Sequence, residues 1–265
     1  MLLAIDIGNT AIHLGVFEGS RLRRRISAPT AMARTPARLR RRLGRADEAI
    51  ICSVVPWATS GVVRALRAAG FSRIRLVGRD VRIPLKNRYR HPRQVGQDRL
   101  VGAYAAWKEF GGHGPGGTGR GNDCIVCDFG TAITIDVVTK AGGYLGGVIA
   151  PGLGISLEAL ASRTALLPKV KLKEPPELLG RDTTNSIRSG LLYGCAALCD
   201  GLVAQLRRKY APQAVVIATG GQGALIAKHA RSIDHIRPNL VLEGLDILGI
   251  TGLTNHPKGR KIRLS

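Results

Sequence analysis

Apolar and polar positions along the chain run through one pattern twice. An apolar stretch at 2–7 is followed by the turn Gly8-Asn9-Thr10, an alternating stretch at 11–17, the pair Glu18-Gly19 and a third alternating stretch at 22–27, which predicts a three-stranded meander. A helix at 36–43, a strand at 49–55, a helix at 58–69 and a strand at 74–77 are expected next. An irregular stretch at 80–97 leads into a helix at 98–110. The pattern then recurs: a strand at 124–127, the turn Asp128-Phe129-Gly130-Thr131, and strands at 132–138 and 143–149. A helix at 155–160, a link broken by Pro168, Pro175 and Pro176, a long helix at 184–210, a strand at 214–218, a glycine turn at 219–223 and a last helix at 245–252 complete the reading.

A meander feeding alternating helices and strands is the pattern of a mixed α/β sheet covered on both faces. Two copies predict two similar halves, 1–110 and 122–265. Seven of the eleven residues at 111–121 are glycine, so a linker loop is expected there and not a phosphate cradle, which needs a strand leading in and a helix leading out.

The 265 residues are 45% hydrophobic, enough to bury a core, which excludes a wholly disordered chain. Its 34 Gly and 13 Pro follow no three-residue period, which excludes collagen. The two longest uncharged stretches, 141–157 and 210–227, are broken by glycine and proline, so no membrane span is expected. The N-terminal run has no basic segment and carries Asp6, so a cytoplasmic location is expected and a secretory signal is not.

The five cysteines are odd in number and read as reduced thiols. Cys124 and Cys127 have metal-ligand spacing, but on a strand that spacing points them to opposite faces. Cys195 and Cys199 lie one helical turn apart and read as small apolar packing residues.

The formal charge of +22 would suit a polyanion. Arg outnumbers Lys 30 to 10, however, and no aromatic residues interleave with the basic ones as a stacking platform requires. The cluster between Arg21 and Arg45 reads as a solvated basic face. Nucleic acid is not expected as a partner.

An Asp at a strand end followed by glycine and a hydroxyl-bearing turn residue suits a nucleotide. Glycine lets backbone N–H groups approach phosphate oxygens, and the carboxylate holds a hydrated cation. The device occurs at Asp6-Ile7-Gly8-Asn9-Thr10 and again at Asp128-Phe129-Gly130-Thr131, with a third glycine turn after 214–218. Neither a P-loop nor a Rossmann fingerprint is present. Phosphoryl transfer to a hydroxyl also needs a base and a cationic group. Asp98 beside Arg99 at a predicted helix start offers both, and is equally readable as an N-cap with a solvated Arg.

Asp6 to Thr10, Tyr89 to Arg99, Asp128 to Ala132, Gly146 to Gly152, and Asp182-Thr183 followed by Ser189-Gly190 occur together and in order. With these the chain resembles the type III pantothenate kinases over nearly its whole length. The resemblance implies two ribonuclease-H-like halves of the actin-like superfamily with an interdomain nucleotide cleft, and ATP-dependent phosphorylation of pantothenate, the first step of coenzyme A synthesis. It implies a homodimer, magnesium with ATP, and a monovalent cation, potassium or ammonium.

Carried over residue by residue, Asp6, Ile7, Gly8, Asn9, Thr10, Ala11, Ile12, His13 and Thr131 would contact ATP. Asp98 would be the catalytic base, and Tyr89, Gly96, Gln97, Asp98 and Arg99 would bind pantothenate. Thr183 would also contact pantothenate, from this chain or from a partner subunit, and Asp128 would hold the monovalent cation. Two positions depart from the family pattern. Gln97 stands where Ala is usual, and Asp182 stands where Asn is usual and would set a negative charge near the substrate carboxylate, which Arg181 could offset. A non-catalytic regulator on the same fold, binding nucleic acid or an acidic partner, is the alternative reading.

Overall fold

The computed structural model describes residues 1–112 and 120–254. Packing divides them into two units, Met1–Ile83 with the chain from Leu242 onward, and Pro84–Val241. The expected halves were drawn at the glycine-rich loop instead. Residues 84–110 pack with the second unit because they carry a strand and a helix of its sheet, and the last helix returns to the first. Residues 113–119 of the predicted loop lie outside the described residues.

In the first unit, β1 (Leu2–Ile7), β2 (Ala11–Glu18) and β3 (Arg21–Pro29) form the expected antiparallel meander. β4 (Glu48–Ser53) and β5 (Arg73–Leu76) extend it in parallel, giving the order β3-β2-β1-β4-β5. Alternation along β1 and β2 puts Leu3, Ile5, Ile7, Ile12, Leu14 and Val16 on one face, under a 3-10 turn at Thr30–Arg34, α1 (Pro36–Arg40) and α2 (Pro56–Ala68). Helix α2 buries Ala58, Val62, Ala65 and Leu66 in the same core and starts two residues earlier than expected, with Pro56 in its first turn, where a missing N–H costs nothing.

The helix α7 (Leu240–Thr254) belongs to this unit from Leu242 onward, and Gly249 lies against Leu2. The nearly buried Arg75 donates from Nη2 to Glu48 (3.1 Å) and to the carbonyl of Gly249 (3.2 Å), tying α7 to β4 and β5.

In the second unit the meander is repeated by β7 (Cys124–Phe129), β8 (Ala132–Val138) and β9 (Gly143–Pro151), again with a bulge between the second and third strands. Two strands of two residues, β6 (Lys86–Asn87) and β11 (His235–Ile236), and β10 (Val215–Thr219) complete a six-stranded sheet ordered β11-β10-β7-β8-β9-β6. One face packs Ile125, Cys127, Phe129, Ile133, Ile135 and Val137 against α5 (Thr183–Lys209), which contributes Leu192, Cys195, Ala196, Cys199 and Val203.

The opposite face carries Cys124, whose Sγ contacts the carbonyl of Ala106 at the end of α3 (Gln97–Ala106). Cys124 and Cys127 therefore do point apart, and no group of three metal-ligating side chains occurs among the described residues. The short helices α4 (Leu153–Arg163) and α6 (Gly223–Ile226) fill the connections.

Helix α5 is long and apolar enough to cross a membrane by length and composition, because only Arg188 and Asp200 interrupt it over its first two dozen residues. Its apolar stripe is spent on the core just described, and Asp200 accepts the backbone N–H groups of Arg231 (3.0 Å) and Ser232 (2.9 Å). It is a core helix of the second unit.

Candidate active site

Because side chains alternate along a strand, the charged members of β7 and β8 share the face opposite α5. Asp128 lies one residue before the end of β7, and Asp136 lies on β8 opposite Val126, so the two carboxylates are near-diagonal neighbours on the side where α3 packs. Gly96 stands at the N-cap of α3 in an extended conformation, and Gln97, Asp98 and Arg99 form its first turn. Asp98 Oδ1 accepts the backbone N–H of Arg99 at 2.8 Å, but the N-cap of α3 is Gly96, so the alternative of an N-cap Asp98 does not hold. Arg99, by contrast, is not solvated. It reaches Asp136 through Nε (3.2 and 3.1 Å to the two oxygens) and Nη2 (2.5 Å).

Asp136 is 2% exposed and also accepts the Tyr144 hydroxyl at 2.7 Å. Sequence reasoning missed both residues. The signal was a charged side chain within the apolar run Ala132-Ile133-Thr134-Ile135-Asp136-Val137-Val138, which a buried strand tolerates only when the charge is paired.

Burial raises the Asp98 carboxyl above the ordinary range, and Asp136 adds to the rise against the opposing pull of Arg99. Burial also works against the Arg99 guanidinium, but Asp136 outweighs it and holds Arg99 firmly charged. Asp128 is pushed up to about 7, first by burial and then by Asp98 and Asp136. No described donor is paired with its carboxylate, which sits under Gly220, so the site suits a bound cation.

Tyr89 lies beside Tyr144, ring centroids 6.5 Å apart, and rests on Gly146 of β9. Thr131 is exposed in the β7–β8 turn. Thr183 opens α5 and is exposed. Asp182 caps that helix, accepting the backbone N–H of Asn185 at 2.8 Å and its side-chain amide at 2.6 Å. These bonds hold its carboxyl below the usual range. Arg181 pairs with Glu177 at 3.0 Å and is not the counterion expected for Asp182.

The remaining predicted residues lie in the first unit. Asp6 pairs with His13 across β1 and β2, and the turn between them closes through Gly8 N–H to the Ala11 carbonyl at 3.0 Å. Asn9 and Thr10 are exposed, whereas Ile7 and Ile12 are fully buried, which leaves only their backbone for a ligand. His13 has a buried Nδ1 without a partner and a lowered pKa, from burial first and Arg25 second.

Solved structures share the fold at low sequence identity. A conserved Campylobacter jejuni protein assigned to the Baf family of transcriptional activators superposes with TM-score 0.62 at 15% identity, over 96% of this chain and 100% of its own. The ethanolamine utilization protein EutJ of Carboxydothermus hydrogenoformans follows at 0.51 and 16%, over 93% and 88%. Twin meanders in mixed sheets flanked by helices define an α/β chain, and the sequence relatives make it a kinase.

The family model for type III pantothenate kinase matches residues 2–205. Curated type III pantothenate kinases of Anaeromyxobacter sp. (strain K) and Moorella thermoacetica are 39% and 36% identical, each over 94% of this chain and 98% of their own length. The chain belongs to the type III pantothenate kinase family, and its reaction is the ATP-dependent phosphorylation of pantothenate in coenzyme A biosynthesis.

Proposed function

We propose that Asp98 is the general base of this reaction. It takes the proton of the pantothenate hydroxyl as that oxygen bonds to the γ-phosphorus, while the bond from phosphorus to the bridging oxygen breaks and ADP leaves. The observation that carries the reading is the half-buried Asp98 carboxylate at the start of α3, made more basic by burial, next to a guanidinium held in one orientation.

Tyr89, Gly96, Gln97, Arg99 and Thr183 bind pantothenate in this reading. Asp6 to His13 and Thr131 contact ATP, whose magnesium accompanies its phosphates. Asp128 holds potassium or ammonium, supported by a buried carboxylate with no described donor. A cation held by Asp128 would supply positive charge to the site.

A homodimer is supported by the apolar surface of the second unit. Ile149, Leu166, Leu178, Leu179 and Leu198 are exposed there, Leu166 by 91%, and nothing lies within 4 Å of the Cβ positions at Gly190, Gly194 and Gly201 on α5. The five free thiols support a cytoplasmic location. The arginines of β3 and α1 form a solvated surface, with no nucleic acid required.

ADP release with ATP, magnesium and potassium, with and without pantothenate, tests the whole. Asp98→Asn should slow pantothenate-dependent release by about a hundredfold or more while leaving ATP binding intact. Retention of most of the rate would remove Asp98 from the role.

A further inference from the structure

Arg99 immediately follows the proposed base and bears on its carboxyl electrostatically, so the guanidinium could turn to pair with that carboxylate. Here it does not. Its Nε and Nη2 are both spent on Asp136, 37 residues along the chain, leaving Asp98 Oδ1 with only a backbone N–H.

The arrangement around Asp136 is built to keep that pairing. The Tyr144 hydroxyl holds Oδ1 from the other side, and Gly147, opposite Asp136 on β9, leaves room that a Cβ would close to 2.4 Å from the same oxygen. Two edges of the guanidinium are thereby distinguished. The Nε–Nη2 edge is occupied, and Nη1 remains for a ligand.

We propose that Asp136 is a positioning residue for phosphoryl transfer, which binds the Arg99 guanidinium so that it cannot fold onto the Asp98 carboxylate. Tyr144 and Gly147 fix Asp136 in turn. The inference rests on the reading of Asp98 as base. Without Asp136, Arg99 takes the lone pairs that the substrate hydroxyl needs, and the base is masked by its own neighbour.

A double-mutant cycle in the full-length protein tests this. Asp136→Asn should lower kcat about tenfold to a hundredfold while the KM for ATP stays within about twofold. In an Arg99→Met background, slow in itself, Asp136→Asn should cost nothing further, because no guanidinium remains to swing. Tyr144→Phe should give a smaller loss with the same split, and it tests the inference even where Asp136→Asn folds poorly. Asp136→Glu should recover part of the rate.

Equal losses in both backgrounds, or a rise in the KM for ATP matching the loss of kcat, would overturn the proposal. Full activity of Asp98→Asn would instead overturn the reading beneath it, so the two failures are distinguishable.

Discussion

Gly220 and Asp128, 92 positions apart, approach so closely that a Cβ on the glycine would lie 2.3 Å from the carboxylate oxygen. Gly220 also has a φ of +84°, which other residues adopt only with strain. Gly220→Ala should therefore cost about 1 kcal/mol or more in stability. It should also raise the potassium concentration for half-maximal activity. A thermal melt and a potassium titration check this, and unchanged values in both would show that the carboxylate does not depend on that contact.

The Asp128 carboxyl sits at about 7 in the folded chain, against about 3.9 for an unfolded Asp. Its folded value is raised, so the protonated form's contribution to stability is complete below about pH 4 and is lost as pH rises through 7. A cation must displace that proton. Potassium chloride should thus raise the melting temperature over sodium chloride more at pH 8 than at pH 5.5. A shift independent of pH would place the cation away from Asp128.

Asp98→Asn should reduce kcat by about a hundredfold to ten-thousandfold, the range for loss of a general base. Calorimetry with a non-hydrolysable ATP analogue should give an unchanged dissociation constant. Weakened nucleotide binding would mean that Asp98 acts on ATP.

Asp182 caps α5, and either Asp or Asn serves there, since both side chains accept a backbone N–H. Asp182→Asn should leave the melting temperature unchanged, whereas Asp182→Ala should cost about 1 kcal/mol. The KM for pantothenate separates this from substrate repulsion: a fall of tenfold in Asp182→Asn would restore the repulsive role.

Asp246, 3% exposed on α7, is pushed up to about 6 by burial alone. Its folded value again lies above the unfolded one, so charging it destabilises the fold as pH rises from about 4 through 6. Asp246→Asn should stabilise the protein at pH 8 and not at pH 4. Equal melting shifts at both pH values would contradict this.

Much of this architecture is local and was legible in the chain. Both meanders follow from alternation, and β8 begins and ends where its pattern does, at Ala132 and Val138. Strands of two residues, such as β6 and β11, carry no periodicity and exist only because a neighbouring edge accepts them. The assignment of α7 to the first sheet depends on Arg75 meeting the Gly249 carbonyl, a contact that no window along the sequence spans.

The site divides the same way. Asp98 and Arg99 are adjacent in a turn and could be read together, but which carboxylate Arg99 chooses is decided by strand register across β7, β8 and β9. The interior position of Asp136 was the one visible trace of that choice.

The path of α7 has a consequence for the protein's birth on the ribosome. The second unit is one continuous length of chain and can fold as it emerges, N-terminal parts first. The first unit cannot. Its strands are synthesised at the outset, yet the helix that lies against Leu2 and anchors Arg75 is translated only after the whole second unit. The domain begun first is finished last, and its apolar underside awaits its cover through most of synthesis.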